Sequence, residues 1–110
     1  MAKLPNGERA LIPMEKLVDY CLNPEHPRGK DKAQVFASVL GLTRNTADQL
    51  ANLIRQAAVN GEVTKEETTP FGRYYRVDWS IPSKTDIVLR TIWEIAPDEE
   101  IPRLVSAFIR

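Results

Sequence analysis

The chain has 110 residues, 43% of them apolar and 27% charged, which bounds it as one globular domain, residues 1–110, able to bury roughly two thirds of its unfolded surface. Fifteen Lys and Arg balance fifteen Asp and Glu, which counts against a protein whose main work is nonspecific nucleic-acid binding and confines any such role to a local site. Apolar runs of only a few residues exclude a membrane-spanning helix, and a lone Cys21 excludes an internal disulfide and, with a lone histidine, falls short of a structural zinc set.

The opening Met1-Ala2-Lys3-Leu4-Pro5 lacks the apolar stretch of a secretory signal, so a cytoplasmic location without cofactor or metal is expected. Leu4-Pro5-Asn6-Gly7 reads as a turn-rich lead that sets backbone angles rather than builds a core, and residues 9 to 12 as a short extended piece. Pro13 suits the first turn of a helix, and Met14, Leu17, Val18, Cys21 and Leu22 recur at spacings of three and four, which makes one apolar face with Cys21 a small buried hydrophobe. Asn23-Pro24 stops that helix.

The connection that follows holds His26, Gly29 and the cations Arg28, Lys30 and Lys32. An imidazole suited to proton transfer beside cations suited to phosphate equips this segment for chemistry on an anion; the plain alternative is a helix connection with a surface histidine. A second helix is predicted from Asp31 as N-cap, with Val35, Phe36, Val39 and Leu40 inward and Gly41 as a left-handed stop. Lys32 continues this apolar stripe, where a charge requires a partner or must snorkel to solvent. A third helix starts at Thr46, with Gln49 in the reciprocal capping position. It buries Leu50, Leu53, Ile54, Ala57 and Ala58 and ends at Asn60-Gly61.

From Glu62 the period changes from about 3.6 to 2. Glu62 to Lys65 reads as a weak strand, Pro70-Phe71-Gly72 as a turn, and Arg73 to Ile81 as a strong strand with Tyr75, Val77, Trp79 and Ile81 on one face and Tyr74, Arg76, Asp78 and Ser80 on the other. After a turn at Pro82-Ser83-Lys84, Thr85 to Ile95 alternates Ile87, Leu89, Thr91, Trp93 and Ile95 against Val88, Arg90, Ile92 and Glu94. An acidic loop, 96 to 102, precedes a last strand from Arg103 to Ile109. The order predicts an α+β fold, with about three N-terminal helices on one face of a roughly four-stranded antiparallel sheet. Trp79 and Trp93 then pack under the helices, while Tyr74, Arg76, Asp78 and Arg90 share the open face.

Leu4-Pro5-Asn6, Lys16-Leu17, Tyr20, Leu22-Asn23-Pro24-Glu25-His26-Pro27, Gly29, Lys32-Ala33, Val35-Phe36 and Leu40-Gly41 resemble an uncharacterised bacterial domain family. That family occurs as the C-terminal effector module of polymorphic and contact-dependent toxins and as small free-standing proteins. The resemblance continues through Tyr75, Val77-Asp78, Val88, Arg90-Thr91 and Trp93 to Pro102-Arg103-Leu104, and the order of elements is similar to barnase-like and RelE-like ribonuclease toxins, which is fold-level analogy. The family's Thr-Thr pair after Pro-Arg-Leu is replaced here by Val105-Ser106, which leaves Ser106 as the hydroxyl in that place. A free-standing chain from Met1 without delivery machinery favours a toxin of a toxin-antitoxin pair over a secreted effector.

The resemblance implies a metal-independent endoribonuclease toxin of the cytoplasm, cleaving an RNA substrate by 2′-hydroxyl attack and held in check by a cognate antitoxin or immunity protein. His26 is the expected general acid or base, Lys32 and Arg90 the groups that hold phosphate charge, and Thr91 or Ser106 a positioning hydroxyl. Arg28, Tyr74, Arg76 and Arg103 are the expected substrate-binding residues, Tyr74 by stacking on a base. The rival is a noncatalytic interaction protein, an immunity or antitoxin component or an assembly factor, in which the His26 segment is a rigid turn and Lys32 pairs with a carboxylate such as Asp78. A nucleotidyl or ADP-ribosyl transferase finds no glycine-rich phosphate loop to support it.

Overall fold

A computed structural model describes residues 2–110 of the chain. Helix α1 begins after Pro13 as a single α-helical turn, Met14–Lys16, and continues as a wider π-helical turn, Leu17–Cys21, closed by Leu22 N–H on the Leu17 carbonyl at 2.8 Å. Its predicted stripe is buried at Leu17, Cys21 and Leu22, while Met14 at the open end stays 43% exposed. Helix α2 runs Lys30–Val35 and again widens to a π turn, Phe36–Leu40. Its N-cap is Gly29 rather than Asp31, which falls in the first turn where a carboxylate favours the helix dipole. Phe36 is fully buried, Val39 and Leu40 are half-buried, and Val35 is exposed, so the inward stripe is narrower than its spacing suggests.

Gly41 ends α2 at φ 67°, the left-handed conformation that glycine adopts without penalty. A 3₁₀ turn, Arg44–Thr46, leads into α3, Ala47–Asn60, and the reciprocal cap is made by Thr43 and Thr46, one turn ahead of the expected Thr46 and Gln49. Helix α3 buries Leu50, Ala51, Ile54, Ala57 and Ala58 along its length, with Leu53 half-buried. The N-terminal lead does contribute to the core, against expectation: Leu4 is buried, and Gly7, in the 3₁₀ turn Gly7–Arg9, packs on the Ala58 carbonyl with no room for a Cβ. The extended piece at 9 to 12 reduces to one parallel bridge from Leu11 to Arg103.

Strands β1 (Glu62–Thr69), β2 (Gly72–Ile81), β3 (Lys84–Ile95) and β4 (Arg103–Ile109) form an antiparallel meander in sequence order. The α+β arrangement is the one the change of period predicts. The weak strand at Glu62 extends four residues further than predicted because each residue from Lys65 to Thr69 has a β2 partner. Tyr75, Val77, Ile81, Leu89, Trp93 and Ile95 face the core as alternation requires, and Trp79 is half-buried at its rim.

Strand β4 does not keep the alternation. Trp93 pairs with Leu104 and Ile92 with Ser106, so two β4 steps oppose one step of β3 and Val105 is an extra residue. This is a β-bulge, which re-aims every side chain beyond it. Leu104 and Ala107 therefore both face the core, and Ser106 and Phe108 turn to the open face of the sheet.

Candidate functional site

The open face can be read as cross-strand rows, since residues directly opposite one another share a face. One row holds Glu67, Tyr74, Glu94 and Arg103; the next Lys65, Arg76, Ile92 and Ser106; the third Glu62, Asp78, Arg90 and Phe108. Lys65, Glu67, Tyr74, Arg76, Arg90, Ile92 and Phe108 line a cavity of about 410 Å³ on this face. A larger groove of about 1020 Å³ lies among α1, α2 and the Arg44–Thr46 turn; it includes Lys30 but none of the expected catalytic or substrate-binding residues.

Arg90 is held by Asp78 in a two-pronged pair, Nε donating to Oδ1 at 2.9 Å and Nη2 to Oδ2 at 3.0 Å. The guanidinium holds the Asp78 carboxyl below the usual carboxylate range although burial opposes this, and the same bond pushes Arg90 up. Arg110 adds a longer contact to Asp78 at 3.7 Å, and Arg76 Nε donates to the Thr64 hydroxyl at 2.9 Å. Arg76 and Arg90, one row apart on this face, thus each have their own acceptor, the Thr64 hydroxyl and the Asp78 carboxylate.

Lys32 approaches the same face from α2. Its Nζ donates to the Tyr20 hydroxyl at 2.8 Å and to Ser106 Oγ at 3.4 Å, and lies 5.0 Å and 4.7 Å from the ring centres of Tyr20 and Phe108. Aromatic faces and hydroxyls make a half-buried ammonium tolerable without an opposite charge. Both ion pairs among the described residues belong to Asp78, so Lys32 has no carboxylate partner there. The pairing of Lys32 with Asp78 that a purely structural role would use is not formed, and neither is a simple excursion to solvent.

His26 is placed as a turn residue. Its Nδ1 accepts the backbone N–H groups of Arg28 at 3.0 Å and Gly29 at 3.1 Å, which assigns the proton of the neutral ring to Nε2, and the ring stands edge-on to Tyr20 with centroids 4.9 Å apart. A ring in that tautomer can donate from Nε2 but has no free lone pair with which to act as a base. Arg28 is exposed in the same connection, away from the cavity lining.

Thr91 lies in the core, fully buried, where its Oγ1 donates to the Val77 carbonyl at 3.2 Å and accepts the Trp93 indole N–H at 2.8 Å. Strict alternation puts it there, and its hydroxyl anchors Trp93 rather than facing a substrate. Of the expected site residues, Arg90, Tyr74 and Arg76 line the cavity, Ser106 and Arg103 share the open face beside it, Lys32 reaches Ser106 and Phe108 from α2, and Thr91, His26 and Arg28 lie elsewhere. Two residues that complete the arrangement, Tyr20 and Phe108, had no signal as site residues: Tyr20 lies off the apolar stripe of α1, and unbroken alternation in β4 puts Phe108 on the face of Leu104.

One chain of the contact-dependent growth inhibition toxin–immunity protein complex from Klebsiella pneumoniae 342 has a similar fold, with TM-score 0.70 and 18% identity over 94% of this chain and 96% of that one. No curated protein matches the chain. The sequence profile of a domain family does match, from residue 3 to residue 110, and the chain therefore belongs to the family described as domain of unknown function (DUF6883).

Proposed function

We propose that the chain is the toxin member of a toxin and cognate-protein pair, and that it is a metal-independent endoribonuclease cleaving RNA by attack of a ribose 2′-hydroxyl on the adjacent phosphate. The observation that carries this reading is Lys32: a half-buried ammonium without a carboxylate partner among the described residues, fixed by Tyr20 and Ser106 and standing over the ring of Phe108, the cross-strand partner of Arg90. Lys32 and Arg90 hold the phosphate and the charge that grows on it, with Asp78 fixing the guanidinium plane. As the 2′-oxygen bonds to phosphorus its proton passes to solvent water, and as the bond from phosphorus to the 5′-oxygen breaks that oxygen takes the proton of the Tyr20 hydroxyl, which accepts from Lys32 and regains a proton from water. His26 orients Tyr20 and closes the loop. Because preorganised charge is the strongest feature of the site, it supplies most of the rate in this reading.

Purified protein should cut single-stranded RNA, and Lys32→Ala and Arg90→Ala should each slow cleavage about 10²-fold, since one donor to transition-state charge contributes on the order of 3 kcal/mol. The double variant should be little slower than either single one if the two act as a unit. Circular dichroism checks that the variants stay folded. RNA left intact by the wild-type protein, together with unchanged growth of a bacterium induced to make it alone, would overturn the reading. The rival interaction role draws on the two-pronged Asp78–Arg90 pair, which partly satisfies Arg90, and on the zero net charge; it predicts that intact-RNA outcome together with stable binding to the cognate protein.

A further inference from the structure

We infer that the open-face cavity holds a ribonucleotide whose base carries an exocyclic amino group, with its phosphate toward Arg90 and its base toward Tyr74. This names the substrate unit of the proposed site and so rests on that reading, but it is carried by a separate feature, the polarity of the cavity along the strands. At one end stand Arg90 and, one row on, Arg76 and Lys65. At the other, Tyr74 and Glu67, opposite it on β1, line the cavity, and Glu94, opposite Tyr74 on β3, stands in the same row outside the lining. Partial burial and then the two carboxylates, Glu94 ahead of Glu67, push the Tyr74 phenol up.

The middle row, between those of Arg90 and Tyr74, supplies Ile92 as an apolar floor beside Arg76 and Lys65, with the Tyr74 and Phe108 rings among the lining. The rows of Arg90 and Glu94 are four residues apart on β3, about 13 Å of strand, a span that long side chains reaching inward shorten to the scale of one nucleotide. A flat ring over Ile92 beside Tyr74 is the usual way a protein holds an unstacked base. An ionised carboxylate only accepts hydrogen bonds. Adenine, guanine and cytosine each offer an amino group to it, whereas uracil has a carbonyl oxygen where cytosine has its amino group. Arg103 stands opposite Glu94 on β4 but makes no ion pair with it among the described residues; the Tyr74 hydroxyl is the neighbour that Glu94 accepts from, and Glu67 is the carboxylate in the cavity lining.

Cytidine and uridine 3′-monophosphates differ at that one position and serve as probes in calorimetric titration. Cytidine 3′-monophosphate should bind roughly ten-fold tighter or more, as expected for a hydrogen bond to a charged group. The double variant Glu67→Gln, Glu94→Gln should lose most of that preference, and Arg90→Ala should weaken both ligands alike. Equal binding of the two nucleotides, or no saturable binding of either, overturns the inference. The preference without any RNA cleavage keeps the nucleotide site and ends the ribonuclease reading; cleavage that is indifferent to the base, with equal nucleotide binding, does the reverse.

Discussion

Asp78 shows how one carboxylate can organise a surface crowded with cations. Its side chain is only 10% exposed, and the Arg90 bonds hold it ionised below its ordinary value of 3.8. A carboxyl whose folded value is depressed stabilises the fold at pH above its unfolded value, and that stabilisation disappears as pH falls through the folded one. Asp78→Asn should therefore lower the unfolding free energy on the order of 1 to 3 kcal/mol from neutral pH down to about pH 4, the range for a hydrogen bond to a charged group left unmade. Below about pH 4 the gap between wild type and variant should close, which urea titrations across pH would read. A gap that widened on acidification would show that the fold raises the Asp78 carboxyl instead of lowering it.

Among the elements, the turns decide where the strands start. Gly41 and Gly72 both have positive φ, at 67° and 136°, but their surroundings differ. A Cβ on Gly41 would meet nothing within 4 Å, whereas one on Gly72 would lie 2.5 Å from the Ile95 carbonyl oxygen, where β2 passes close to β3. Gly41→Ala should cost only the backbone strain, about 1 kcal/mol, and Gly72→Ala distinctly more, since it must also displace a strand. Thermal unfolding of the two variants would rank them; equal losses would mean that β2 can move away freely. The bulge at Val105 acts on the same scale, because one added residue exchanges Ser106 for Ala107 at the core and delivers Phe108 beneath Lys32.

In the whole molecule, α1 to α3 and the N-terminal lead cover one face of the meander, and Trp93 is the largest side chain fully enclosed between the layers. Its indole N–H is satisfied by Thr91, so the ring is fixed in orientation as well as buried. Trp93→Ala should cost roughly 3 to 5 kcal/mol, the range for large aromatic truncations in a core, read by denaturant unfolding. A loss near 1 kcal/mol would mean that the layers close over the gap.

The sequence by itself determined the local conformations and most of the inside. Helical and alternating periods mark out α1 to α3, β2 and β3, and alternation within each strand groups Arg76 with Asp78 and Arg90 with Ile92, although it takes a register shift between Ser80 and Ile81 to set Asp78 opposite Arg90. Those features are local, since period and turn chemistry act over a few residues. The tertiary structure alone decided that Leu4 and Gly7 join the core, that His26 spends its Nδ1 on the backbone, and that Lys32 meets Tyr20, Ser106 and Phe108. The reason is physical: a bulge has no residue signature of its own in Leu104-Val105-Ser106, and the partner of a charge 74 residues away is set by how helix and sheet pack, which no local pattern contains.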